Sequence, residues 1–192
     1  MESRHSQSLS ERNDHRAQSN SRMAQNNETP DLDRFPLMTK GNKFEDFEIG
    51  QSLTHHWGRT LTQSDNVAFS TATCAWLPLH LNVEYARVQG HEDTPINPML
   101  VLCTAVGLSV EDLSESGGPF LGIDDCHFRH TVYPGDTITA CSVVTEMRRS
   151  SSKPRVGIVT WHTTAFNQRN ELVVELVRTN LVAARGDEPI NV

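Results

Sequence analysis

His80 is one of nine histidines whose type could move protons, and by itself a lone histidine means little. Imidazole ionises near neutral pH, so a histidine held in a pocket can act as general acid or general base. It sits in PLHLNVEYA (Pro78 to Ala86), directly after a helix-like run. Cys74 lies close by in sequence, and a thiolate beside an imidazole is a nucleophile. The commoner role of a small cysteine is packing. Two further histidine pairs, His55-His56 and His127 with His130, raise the question of a metal. Neighbours on a strand point to opposite faces, and so do residues three apart, so neither pair converges on one ion. The four cysteines, Cys74, Cys103, Cys126 and Cys141, contain no CxxC spacing. No metal site is expected.

A chain of 192 residues with net charge -7 fits one domain plus a tail. That charge, with no basic stripe, argues against a nucleic-acid partner. The one basic cluster, Arg148, Arg149, Lys153 and Arg155, surrounds Ser150 to Ser152 and fits a solvated hairpin loop. A rim that steers the phosphates of coenzyme A is the other reading. No run reaches the roughly 18 apolar residues of a membrane helix. Free thiols and no apolar leader suit a cytoplasmic protein without a membrane partner.

Residues 1–40 are polar, with no aromatic before Phe35, and are expected to be a disordered tail. A folded domain is expected over 41–186, with a short tail at 187–192. Its first strand runs through His55, Trp57 and Arg59. Thr62 fits a helix N-cap, with Asp65 three residues on, and Pro78 is expected to end that helix. A second helix starts at Asn97 or Thr94, places Pro98 in its first turn and continues from Met99 to Leu113. It is apolar on nearly every face, so it must be wrapped by other structure. Four strands follow: Phe120 to Val132, Asp136 to Met147, Arg155 to Asn167 and Glu171 to Ala184. Tight turns at Pro134-Gly135-Asp136 and at Asn167 to Asn170 are expected to join successive pairs.

Several separated pieces, in order, resemble the MaoC-like, or (R)-specific enoyl-CoA hydratase, family. They are FEDFEIGQ (Phe44 to Gln51), GRTLTQSDNVAFS (Gly58 to Ser70), PLHLNVEYA, TVYPGDTI (Thr131 to Ile138) and FNQRNELV (Phe166 to Val173). The second and last are most similar in wording to mesaconyl- and itaconyl-CoA hydratase-like members. The resemblance covers about residues 44–184. It implies an α+β hot-dog fold, an antiparallel sheet wrapped around a long helix, present once and paired into a homodimer.

The resemblance also implies a hydro-lyase that adds water to an acyl thioester or removes it. Coenzyme A or phosphopantetheine would belong to the substrate, and no separate cofactor is called for. In the family an Asp five residues before the His shares a water with it, and an N–H at the start of the central helix stabilises the enolate oxygen. Here His80 matches the catalytic His, Ala75 stands in the place of the Asp, and Pro98 stands near the oxyanion position, where proline has no N–H to give. Met99 N–H or the Asn97 side chain remains as the donor. Trp76 and Leu77 either make the surroundings of His80 apolar or belong to the ordinary core. The expected substrate-binding set is therefore Asn97, Met99, Trp76, Cys74 and Ala75. Asp65 fits a cap, Asn82 a structural role and Glu84 solvent, leaving Asp124 and Asp125 as the best substitutes for the absent carboxylate. With that carboxylate gone, a different elimination, isomerisation or cyclisation, or a non-catalytic acyl-binding subunit, also remains open.

Overall fold

A computed structural model describes residues 41–153 and 155–186, so the expectations for 1–40 and 187–192 lie outside the described residues. Six strands and five helices follow in the order β1 (Ser52–Thr54), β2 (Arg59–Thr60), α1 (Gln63–Ala72), α2 (Pro78–Leu81), α3 (Val83–Val88), α4 (Pro98–Leu108), α5 (Val110–Leu113), β3 (Phe120–Phe128), β4 (Thr137–Arg149), β5 (Val156–Phe166) and β6 (Leu172–Ala183). Hydrogen bonding orders the sheet β1-β4-β5-β6-β3, with β2 also on β4. Every pairing is antiparallel.

The sheet is built from the period-two pattern of its long strands. Along β5, Val159, Trp161, Thr163 and Ala165 turn inward and are buried, while the residues between them are half-exposed. Trp161 meets the Phe47 ring edge-on at 5.3 Å between centroids. The inner face of the sheet then receives α4. Leu100, Val101 and Ala105 from that helix pack with Leu61, Ile138, Ala140, Ala165, Val173 and Val174. Helix in front, antiparallel sheet behind, is the arrangement that the hot-dog resemblance implies.

Four details differ from the sequence expectations. The first helix ends at Ala72, capped by Thr73, well before Pro78. Cys74 follows with φ +56°, and Pro78 instead opens α2 at its first position, where its missing N–H costs nothing. The single early strand is split into β1 and β2. The second helix stops at Leu108, because Ser109 turns its hydroxyl onto the Val106 carbonyl (2.7 Å) and α5 starts afresh. Finally, β3 and β4 are not a hairpin: β3 pairs with β6 at the far edge of the sheet. The turn at Tyr133–Asp136, closed by Asp136 N–H on the Tyr133 carbonyl and by Gly135 at φ +96°, therefore carries the chain across to β4. Asn167 to Asn170 is a tight turn between paired strands, as expected.

The wrapping of α4 is also one-sided. Met99, Cys103 and Gly107, one turn apart, stay exposed, with Met99 at 50%. A single sheet has one concave face and covers only the side of the helix turned toward it. No helix among the described residues is long and apolar enough to cross a membrane.

Candidate active site

The cap of α1 sets the geometry that leads to His80. Thr62 Oγ1 accepts from Asp65 N–H (3.2 Å) while the Asp65 carboxylate accepts from Thr62 N–H (2.9 Å). The Thr62 hydroxyl and N–H and the Arg59 guanidinium hold the Asp65 carboxyl below its ordinary range. Asp65 is thus a helix cap. One residue on, Asn66 is fully buried. Its Nδ2 donates to the carbonyls of His80 (3.0 Å) and Pro95 (3.1 Å), and its Oδ1 accepts from Asn97 N–H (2.8 Å). One carboxamide joins the His80 turn to the start of α4.

His80 lies in α2, 7% exposed, with Nδ1 2.8 Å from the Pro95 carbonyl oxygen. A carbonyl can only accept, so Nδ1 carries the hydrogen and, in the neutral ring, the lone pair lies on Nε2. That is the tautomer of a general base. His80 lines a cleft of about 210 Å³ with Ile96, Pro98, Val101, Phe128, Val132 and Val173 among its apolar walls. Its ionisable side chains are His80, His91, Arg129 and His130, and no carboxylate residue is among those that line it.

Of the residues marked from sequence, His80 reaches this cleft. Cys74, Ala75, Trp76, Asn97 and Met99 do not line it. Because α1 stops early, residues 73–77 loop outward: Trp76 and Leu77 are exposed, so neither the apolar-lining nor the core role holds for them. Ala75 is half-buried, its N–H on the Ser70 carbonyl (2.8 Å). Asn97 caps α4, its Oδ1 accepting from Met99 N–H (3.0 Å), which takes up the backbone donor expected for the oxyanion. Pro98 offers none, and Asn97 N–H is held by Asn66. Among the described residues, the Asn97 Nδ2 group is then the uncommitted donor at this helix start.

The other candidates are also placed. Asn82 caps α3 through Tyr85 N–H (3.1 Å), and Glu84 is exposed and paired with Arg87. Asp124 and Asp125 are exposed at an irregularity of the β3 edge and are not among the residues that line the cleft. His55 and His56 turn to different partners, His55 to Asp112 (2.6 Å) and Ser142 (2.8 Å), His56 to Glu111 (3.4 Å). The basic cluster lies at the end of β4 and in the loop to β5, with Arg149 on Glu45.

Three cleft residues carry no catalytic expectation from sequence, where His130 entered only in the dismissed metal pair with His127. Arg129 and His130 lie in the stretch before Thr131, whose TVYPGDTI wording drew notice for its turn, and His91 sits in a loop with no periodic pattern. Arg129 pairs with Glu175 (2.6 Å). His91 Nδ1 lies 2.8 Å from the Tyr133 hydroxyl. Burial, helped by Glu92 and Asp136, pushes the Tyr133 phenol above its ordinary value, so it stays protonated at neutral pH. His130 Nδ1 lies 2.7 Å from the Leu172 carbonyl.

Comparison with known proteins adds the family. The mesaconyl-CoA hydratase family profile matches residues 24–191. Mesaconyl-CoA hydratase of Haloarcula hispanica is 36% identical over 155 residues, which is 80% of this chain and 43% of that protein. A putative MaoC domain protein dehydratase from Chloroflexus aurantiacus superposes with TM-score 0.73 at 29% identity, over 82% of this chain and 45% of the other. The double-hotdog protein Rv0216 of Mycobacterium tuberculosis has TM-score 0.70 at 22% identity, over 81% and 48%, and speaks for the fold. This chain spans less than half the length of the curated hydratases it matches. With the profile matching most of the chain, a curated relative 36% identical over 80% of it and a solved structure of the same fold, the chain belongs to the mesaconyl-CoA hydratase family, among the MaoC-like hydratases of hot-dog fold.

Proposed function

We propose that this protein hydrates an α,β-unsaturated acyl thioester, or dehydrates the matching β-hydroxyacyl thioester, with His80 Nε2 as acid/base. The acyl group is carried by coenzyme A or by the phosphopantetheine of a carrier protein. The chemistry is addition or loss of water with two proton transfers and no change of redox state at a cofactor, so the reading includes no resident cofactor. The observation that carries it is the fixed tautomer of His80: a buried ring tied through Nδ1 to the Pro95 carbonyl, in a residue that lines a largely apolar cleft. Relatives named for mesaconyl-CoA hydration suggest a short branched acyl group.

The same reading makes the working unit a homodimer. The curated hydratases are more than twice as long as the stretch this chain matches, and a second copy of this hot-dog unit is the partner this reading supplies. Two features support the pairing. The Met99–Cys103–Gly107 side of α4 is uncovered, with exposed Trp57 beside it. Strand β3 ends the sheet with Phe120, Leu121 and Phe128 exposed, and an open apolar edge favours pairing with another chain. Four unpaired cysteines suit the reducing cytoplasm.

The test is a thioester panel. Mesaconyl-CoA and crotonyl-CoA are offered to the purified protein, and loss of the enoyl thioester absorbance is followed. Turnover is expected, with His80→Ala slower by at least about 100-fold. A wild-type protein inert on both substrates and on their hydrated products, or a His80→Ala variant of full activity, refutes the reading. Binding without turnover then favours an acyl-binding subunit.

A further inference from the structure

We propose that His130 is the second acid/base group of this cleft, in the chemical place of the carboxylate that position 75 lacks; the inference rests on the hydratase reading above. Adding water across a conjugated double bond needs one group to accept the water proton and another to protonate the α-carbon. The ionisable residues that line the cleft are His80, His91, Arg129 and His130. A guanidinium does not give up its proton, and Arg129 is paired with Glu175. The second group is then an imidazole.

Hydrogen bonding selects between the two. His130 Nδ1 meets the Leu172 carbonyl, as His80 Nδ1 meets the Pro95 carbonyl. Each acceptor can only accept, so both rings carry hydrogen on Nδ1 and exchange protons at Nε2. His91 meets a hydroxyl, which can donate or accept, and its tautomer is not fixed. Backbone bonding also ties the two segments together. Ile96 N–H donates to the Val132 carbonyl (2.8 Å), linking the residue after Pro95 to the one two beyond His130. His130 is exposed where His80 is buried, so its ring can reload from solvent.

The step balances with one neutral and one protonated ring. Neutral His80 Nε2 takes a proton from water as the water oxygen bonds to the β-carbon. The double-bond electrons move to the α-carbon, which receives the Nε2 proton of the His130 imidazolium. One water has been added, His80 has gained a proton and His130 has lost one. Exchange with solvent resets the pair, and dehydration runs the steps backwards.

His130→Asn keeps a donor for the Leu172 carbonyl and removes the titrating nitrogen. On whichever thioester the wild type hydrates, kcat is expected to fall at least about 100-fold with KM little changed. If His130→Asn does not fold, as judged by circular dichroism, His130→Gln takes its place in the same comparison. A His130 variant with wild-type kcat, beside an inactive His80→Ala, overturns this inference and leaves the hydratase reading standing. So does a loss seen with His91→Asn and not at His130. A wild type inert on every thioester overturns both.

Discussion

Asn66 and His80 donate to the same oxygen, the Pro95 carbonyl, at 3.1 Å from Nδ2 and 2.8 Å from Nδ1. That shared acceptor couples the orientation of the imidazole to a residue that does not line the cleft. Asn66 also holds the His80 carbonyl and Asn97 N–H, so three backbone groups depend on one fully buried side chain. Asn66→Ala leaves the His80 carbonyl and Asn97 N–H buried without these partners, while the Pro95 carbonyl keeps His80 Nδ1, and is expected to cost about 3 kcal/mol. Urea unfolding checks the figure. Thioester turnover should fall further than the loss of folded protein explains, because the backbone of His80 loses its tie to the start of α4. A variant within about 0.5 kcal/mol of wild type would show that water replaces the carboxamide, and the clamp would lose its meaning.

Acid should loosen the turn at Asp136. Burial opposes ionisation of that carboxyl, but the Tyr133 N–H, the Gln168 amide and the Arg169 guanidinium outweigh it and hold the pKa below its ordinary value of 3.8. The folded state thus binds the proton less readily than the unfolded chain. The stabilisation is fully present above the ordinary value and is lost as pH falls through the folded one. Asp136→Asn lacks it at every pH. The expected gap between wild type and variant is about 2 kcal/mol at pH ~7, shrinking strongly by pH ~2. Urea midpoints at the two pH values measure it. Other lowered carboxyls, such as Glu171 and Glu175, titrate in both proteins and cancel in the difference. A gap that does not change with pH would exclude the charge as its source.

The sequence carried its periodic and capping signals into structure faithfully. Alternation marks β5 and β6, Thr62 with Asp65 forms the expected box, and Asn97-Pro98 starts α4. Three things lay outside such signals. The end of α1 falls at Ala72 without glycine or proline, through a positive φ at Cys74 that a local pattern does not announce. The partner of β3 is chosen by non-local contacts, so the proximity of its turn to β4 misled. On the buried face of β6, Arg178 looks outward-facing by type. Its guanidinium in fact reaches Ser109 (2.7 Å) and Ser114 (2.6 Å), the C-caps of α4 and α5, where helix dipoles favour a cation. Burial still lowers its pKa to about 10. Within the site, His80 was legible from its motif. His91, Arg129 and His130 were not, because the cleft forms from segments far apart in sequence.

Met99 offers the sharpest check on the homodimer. In the single chain its side chain is half-exposed at the second position of α4, so Met99→Glu disturbs no buried contact. A carboxylate in the first turn of a helix is favoured by the dipole, so the folded chain should lose no stability. Across a dimer interface the same carboxylate would be stripped of water without a partner, at a cost of several kcal/mol. Light scattering at micromolar concentration is therefore expected to give twice the chain mass for wild type and the chain mass for Met99→Glu, with an unchanged circular dichroism spectrum. A Met99→Glu protein that remains dimeric moves the interface off α4, leaving the open edge of β3 as the surface to probe next. A wild type that is monomeric at these concentrations removes the second copy altogether. The uncovered stripe on α4 would then have to be satisfied by a different chain.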